Sequence, residues 1–265
     1  MTFLARNRAR AEQARTTIRT RAGHDDIDFE VADLSELAAV RRAAGALSDL
    51  GRPIDALVHN AGALSHRFEA SSDGVERTVA THVLGPFLLT SLLLPLLRRA
   101  GEAQGSPARV ITVSSGGMYT QRFDIAHLEP RSGGYDGVVA YARAKRSQVV
   151  LTHAWARRVD PRLVVFHCMH PGWADTPGVA SSLPGFHRVT GPLLRTPAHG
   201  ADTIVWLAAS PEVSATSGKL WLDRRRRWEH KVPWTRPADA LRDQDRLWNW
   251  CIERSGAAPS ICLWP

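Results

Sequence analysis

Hydrophobic positions in this chain fall into two alternating patterns. Short runs that are apolar nearly throughout occur at Ile54–His59 (IDALVH), Arg109–Ser114 (RVITVS) and Leu163–His167 (LVVFH). Successive apolar positions mark strands covered on both faces, as in a parallel sheet. Between them, Ser35–Leu50, Gly74–Arg99 and Val139–Val159 carry apolar residues at helical spacing. Glu30–Ala32 and Lys219–Leu222 read as further short strands. Ala238–Arg254 reads as a C-terminal helix, with Leu241, Leu247, Trp248, Cys251 and Ile252 at mostly helical spacing. Strand, helix, strand in this rhythm predicts an α/β fold, a doubly wound parallel sheet with right-handed crossovers. With no internal repeat and no linker, one domain over residues 1–265 is expected.

Two segments break the rhythm. Gly116–Gly137 separates a strand from a helix by a long, glycine-rich connection, and such loops are often functional. Thr176–Pro197 holds Pro177, Pro184, Pro192 and Pro197 and reads as a flap of broken turns.

Composition narrows the class. Of 265 residues, 44% are hydrophobic and 23% charged, enough for a sizeable core and too little charge for disorder. The net charge of +8 suits anionic ligands without specifying one. Cys168, Cys251 and Cys262 show neither C-x-x-C nor zinc spacing, which points to reduced thiols and a cytoplasmic location. No secretory signal opens the chain, because Arg6, Arg8 and Arg10 follow Met1–Leu4 at once. The longest apolar run, Val83–Leu97, contains Pro86 and Pro95 and falls short of the roughly 18–20 residues of a membrane span. The eleven histidines offer no HExxH and no facing pair, so no metal site is expected.

Chemistry concentrates at predicted strand ends. Tyr141 and Lys145 lie four apart on a predicted helix and so share a face. Val110–Val113 runs into Ser114-Ser115, placing two hydroxyls at the carboxyl end of a central strand, where open α/β sheets bind ligands. Leu57-Val58-His59 leads into Asn60-Ala61-Gly62, and Leu163–His167 leads into the loop His170–Thr176.

In this order the four segments resemble the short-chain dehydrogenase/reductase family: His59-Asn60-Ala61-Gly62, Val113-Ser114-Ser115, Tyr141–Lys145 and Pro171–Thr176. The stretches VITVSSGGM, YARAKRSQVVLT and MHPGWADTPGV look like one particular branch of it. The resemblance implies a Rossmann-like, three-layer α/β/α domain that transfers a hydride between a nicotinamide cofactor and a carbonyl or alcohol. It implies Tyr141 as acid/base, since a phenol with a free pKa near 10 needs a neighbouring ammonium to ionise. Lys145 would lower that pKa and hold the cofactor ribose, and Ser115 would hydrogen-bond the reacting oxygen. Cofactor contacts are implied at Asp33, Leu34, Asn60, Ala61, Gly62, Tyr141, Lys145, Pro171, Gly172, Ala174 and Thr176. Asp33 and Ser35 serve equally as caps of the helix that follows. Arg6 ends the first strand and suits an adenosine 2′-phosphate, which favours NADP over NAD.

Two departures stand out. His82 occupies the position where the family has an asparagine that helps hold a proton-relay water, and histidine can also donate and accept. The family's opening strand and Thr-Gly-x-x-x-Gly-x-Gly turn, which cradle the pyrophosphate, have no counterpart among the twenty glycines. Met1 falls where the second strand should begin, so a start assigned too late is expected, with roughly 25–45 residues upstream restoring a strand–turn–helix unit.

The expected partner is a small-molecule carbonyl or alcohol, apolar because the flap offers Leu183, Phe186, Leu193 and Leu194. The family leaves room for a homo-oligomer. No nucleic acid is expected: Arg224–Arg227, flanked by Trp221 and Trp228, reads as a solvated loop. The nine tryptophans read as core and flap packing. The rival reading is a non-catalytic or impaired binding relative, favoured by the missing glycine turn and opposed by the retained Ser115, Tyr141 and Lys145.

Overall fold

The computed structural model describes residues 1–174 and 194–258. Among the described residues seven strands and six helices of eight residues or more follow one another in the expected alternation. They are β1 (Thr2–Ala5), α1 (Arg8–Ala22), β2 (Asp28–Val31), α2 (Leu37–Asp49), β3 (Ala56–His59) and α3 (Arg77–Gln104). There follow β4 (Ala108–Val113), α4 (Gly137–Arg158), β5 (Val164–Met169), α5 (Pro197–Ala209), β6 (Lys219–Leu222), β7 (Arg225–Arg226) and α6 (Ala240–Ser255).

The sheet is in two pieces. β1 and β2 pair in parallel, Thr2 opposite Asp28 and Ala5 opposite Val31. The second piece has the order β3-β4-β5-β6-β7, parallel except for the final β6–β7 hairpin. Among the described residues no strand pairs with the free side of β1 or of β3. This is the central gap anticipated from the missing glycine turn. It also corrects the reading of Ile54–His59 as a strand covered on both faces: β3 is an edge, and Val58 is 37% exposed.

β4 and β5 carry the core, because successive side chains point to opposite faces. Val110, Val164 and Phe166 pack with α3, α4 and α6 through Phe87, Leu151, Trp155 and Trp248. On the other face Ile111, Val113 and Met169 meet Leu207 of α5. Helices therefore cover both sides of the sheet. α3 is long and apolar enough to cross a membrane, yet 83% of its most apolar stretch is buried inside the protein. On α6, Leu247, Trp248 and Cys251 face the core as expected, whereas Leu241 is exposed.

Caps set the helix starts. Asp136 accepts from the amides of Val138 and Val139 and so opens α4 two residues before the predicted start. Glu76 does the same for α3 through the amides of Thr78 and Val79. Neither Asp33 nor Ser35 caps α2, whose N-cap is Glu36, and the Leu37 amide is taken by Asp73. The arginine run corrects the solvated-loop reading. Asp223 and Arg224 adopt φ of 53° and 55°, which turns the chain so that Arg225 pairs back onto Leu222.

Candidate functional site

β4 delivers the two serines in different states. Ser114 is buried, its amide donating to Met169 O and its hydroxyl to Lys145 O at 2.8 Å, so it holds α4 to the sheet. Ser115 is half-buried and caps the short turn Gly116–Thr120, its Oγ accepting from the Gly117 amide. Its hydroxyl is near enough to the Tyr141 phenol to favour the phenolate. One turn along α4, the Lys145 ammonium lies 5.4 Å from the centroid of the Tyr141 ring.

The electrostatics depart from expectation. Burial pushes the Tyr141 phenol above its ordinary value of 10.0, and only the Ser115 hydroxyl opposes it. Lys145 is 3% exposed, and burial draws its pKa down to about 7. Its Nζ donates to Val113 O at 2.8 Å, and it is not among the groups that lower Tyr141. A half-neutral ammonium turned to a backbone carbonyl does little for a phenolate one turn away. Two of the three Lys145 N–H donors remain for another acceptor.

His82 is fully buried on a π-helical turn, Ala80–Leu84, within α3. Such turns recur at functional sites. Its ring meets Tyr141 edge-on at 5.3 Å, and its Nε2 lies 2.9 Å from Ala63 O. Burial and the charge of Lys145 hold its pKa well below 6.5. His82 Nδ1 and Gln148 Oε1 are both buried without a hydrogen-bond partner. Beside them, lined also by His59, Thr90, Thr112 and Thr152, is a cavity of about 20 Å³, room for one water.

The loop after β5 closes the other side. His170 is buried, with Nδ1 accepting from the Gly172 amide at 3.3 Å and Nε2 unpartnered. Burial, with the charges of Lys231, Arg195 and Arg227, lowers its pKa to about 4. Gly172, at φ 74°, lies beneath the Arg195 guanidinium: a Cβ there would come within 2.8 Å of Arg195 Cζ. Arg195 in turn pairs with Asp223, and Ala174 bridges to Arg195. Pro171, Gly172 and Ala174 thus lie in the loop that follows β5. Thr176 lies outside the described residues, as do Leu183, Phe186 and Leu193 of the flap and Cys262.

Asn60, Ala61 and Gly62 are exposed at the carboxyl end of β3, beside His82. Across the gap, Arg6 ends β1 with an exposed side chain that has no ion-pair partner among the described residues. Asp33 binds the amide and hydroxyl of Ser35, and Arg77 lies 3.9 Å away. Leu34 has its side chain in the core and its carbonyl against Gly85. The donor set therefore suits both ends of a dinucleotide: hydroxyl, phenol and ammonium at one, cation and carboxylate at the other. Among the described residues no glycine-rich turn joins the two.

Sequence reasoning missed Arg146, next to Lys145. It is 1% exposed and donates to the carbonyls of Met118, Gln121 and Glu229, tying the turn after Ser115 to the segment beyond β7. A single arginine in a helix carries no sequence signal for this. Gln148 and His170 were missed for the same reason.

Comparisons with known proteins agree with the geometry. A family model described as short chain dehydrogenase matches residues 1–185. Dehydrogenase/reductase SDR family member 12 of Bos taurus is 39% identical over 246 residues, covering 92% of this chain and 75% of the relative. Polyprenol dehydrogenase of Mus musculus is 33% identical over 265 residues, covering 94% and 74%. Among solved structures, a 3-ketoacyl-(acyl-carrier-protein) reductase from Brucella melitensis complexed with NADH aligns with a TM-score of 0.63 and 25% identity, over 84% of this chain and 85% of that one. By motif order, fold and these likenesses, the chain belongs to the short-chain dehydrogenase family of NAD(P)-dependent oxidoreductases.

Proposed function

We propose that the protein interconverts an apolar alcohol and its carbonyl compound with NADP(H). The observation that carries this is the grouping of Ser115, Tyr141 and Lys145 at the carboxyl end of β4, with the Lys145 ammonium 5.4 Å from the Tyr141 ring and bonded to Val113 O. The cofactor supplies or accepts the hydride when bound. Ser115 Oγ holds the substrate oxygen, and the Tyr141 hydroxyl gives it a proton in reduction or takes one in oxidation. Lys145, with two donors free of Val113, would hold the cofactor ribose, and the cationic ring of the oxidised cofactor would favour the phenolate. His82 stands in for the family's asparagine: its Nδ1 is a free acceptor beside a space for one water, through which the Tyr141 proton is renewed. Asn60–Gly62 and Pro171–Ala174 flank the nicotinamide end, and Arg6 and Asp33 flank the adenosine end.

An apolar substrate is supported by the leucines and phenylalanine of the flap and by a relative named for polyprenol. NADP rather than NAD is supported by the unpaired cation Arg6 beside β1. Location in the cytoplasm remains the reading of the buried free thiols Cys168 and Cys251.

The test is Tyr141→Phe, which keeps the ring and its packing against His82. Turnover of a reactive aldehyde or ketone should fall about 10²–10⁴-fold. Full activity in the variant would remove Tyr141 from the reaction. No activity in the parent chain, with cofactor binding also lost, would favour the non-catalytic reading.

A further inference from the structure

Among the described residues three tryptophans are exposed: Trp228 at 86%, Trp234 at 69% and Trp173 at 47%. The other described tryptophans are buried or half-buried. Trp173 and Trp228 lie beside the turn that follows Ser115, and Trp234 follows six residues after Trp228. A Cβ on Gly116 would lie 4.0 Å from the Trp173 ring. The Tyr119 hydroxyl, in the turn after Ser115, donates to Trp228 O at 3.1 Å. Lys231, three residues before Trp234, sets its ammonium 4.5 Å from the centroid of the Tyr119 ring.

The same segment is strongly basic. Between Lys219 and Arg236 there are seven cations and two carboxylates, Asp223 and Glu229. Arg224 pairs with Asp202 and Arg227 with Asp223, while Glu229 is taken by His153. Arg225, Lys231 and Arg236 make no ion pair among the described residues. Singly exposed apolar residues need no explanation, but indoles held out beside unpaired cations do. An indole has an apolar body and a polar N–H, which suits the boundary between water and hydrocarbon. Cations without carboxylate partners suit lipid phosphates.

We propose that Lys219–Arg236 is a membrane-surface contact, in which Trp228 and Trp234 enter the headgroup region of an anionic bilayer while the arginines and Lys231 meet its phosphates. A bilayer fits better than a nucleic acid because the two most exposed indoles stand at the borders of the charge, where they can insert, and Arg226 lies against the Trp221 ring rather than leaving it free for a base. The contact places the turn Gly116–Thr120, and with it the opening beside Ser115, against the lipid. It stands whether or not the chain turns over a substrate.

Flotation of the full chain with vesicles tests this. The protein should float with phosphatidylcholine vesicles containing phosphatidylserine, remain behind with phosphatidylcholine alone, and be released by salt. Trp228→Ala with Trp234→Ala should cut partitioning about tenfold or more. Arg225→Glu, which touches no described partner, should cut it about twentyfold, since each cation at an anionic surface is worth about fivefold. Circular dichroism of each variant confirms the fold. No binding to anionic vesicles overturns the proposal. So does binding that survives the tryptophan substitutions, or a salt-sensitive gel shift with duplex DNA at protein concentrations where vesicles stay unbound.

Discussion

Gly62 and His82 are packed so closely that a Cβ on residue 62 would lie 2.5 Å from His82 Cε1. The ring cannot retreat easily, because its Nε2 is held by Ala63 O and its edge by Tyr141. Gly62→Ala should therefore displace the imidazole and destabilise the fold by about 1–3 kcal/mol. In a His82→Asn background the shorter side chain leaves room, and the same change should cost less. Denaturant unfolding of the four cycle members should give a coupling of about 0.5–3 kcal/mol. Strict additivity would show that the two sites do not meet.

Acid should weaken the fold through its buried histidines. His59, His167 and His170 have pKa values near 4 against an ordinary 6.5, each lowered chiefly by burial. Between those values the unfolded chain takes up protons that the folded chain refuses. Stability is thus fully present above pH 6.5 and is lost as pH falls toward 4, by about 1.4 kcal/mol per pH unit for each histidine. His167 accepts from Trp221 Nε1 and faces Val213 O, so its neutral tautomer is fully used. In His167→Gln the measured slope should lose one histidine's share; an unchanged slope would mean His167 titrates alike in both states.

Lys145 should act in the opposite pH range with the same sign. Its pKa is near 7 when folded and 10.5 when free, so between these values the unfolded chain holds the extra proton. Stability should rise with pH across that window. Lys145→Met keeps the buried stem and should flatten the rise when unfolding midpoints are compared from pH 7 to 9.5. A rise of equal slope in the variant would assign it elsewhere.

Arg6→Ala should discriminate between cofactors. A guanidinium on a 2′-phosphate makes charge-assisted hydrogen bonds worth roughly 1.5–3 kcal/mol each. Fluorescence titration should show NADPH binding weakened about tenfold or more and NADH binding nearly unchanged. Equal losses would make Arg6 an ordinary surface residue.

Much of this was legible in the chain. Lys219–Leu222 is β6 to the residue, and the Tyr141–Lys145 spacing puts both side chains beside Ser115. What escaped notice were contacts made through backbone atoms. Nothing in the helical period of residues 74–99 marks the π turn that carries His82, because the run Val83–Leu97 is apolar nearly all round and hides the change of phase. Asp223-Arg224 contains no glycine, so the left-handed turn that makes Arg225 a strand residue had no signal. The same holds for Lys145, whose spacing says where it stands and not that a strand carbonyl takes its proton.

The gap between β1 and β3 also divides the molecule mechanically. β1, α1 and β2 share one ladder and a Phe3–Phe29 ring contact, and α1 buries only Ala11, while the unit meets the rest through Leu4 and Ala32 against Ala39 and Ala43 of α2 and through Leu4 on the main core. Among the described residues no backbone hydrogen bond of the larger sheet crosses to this unit, so it can open more readily than the rest. Its amides should exchange with solvent sooner than those of β4 and β5. Arg6 and the nearby Asp33 would then bind adenosine only in the closed fraction of molecules. Measured affinity at that end becomes the product of the contact and of how often the unit is shut, and stiffening α1 would tighten cofactor binding without touching a single ligand atom.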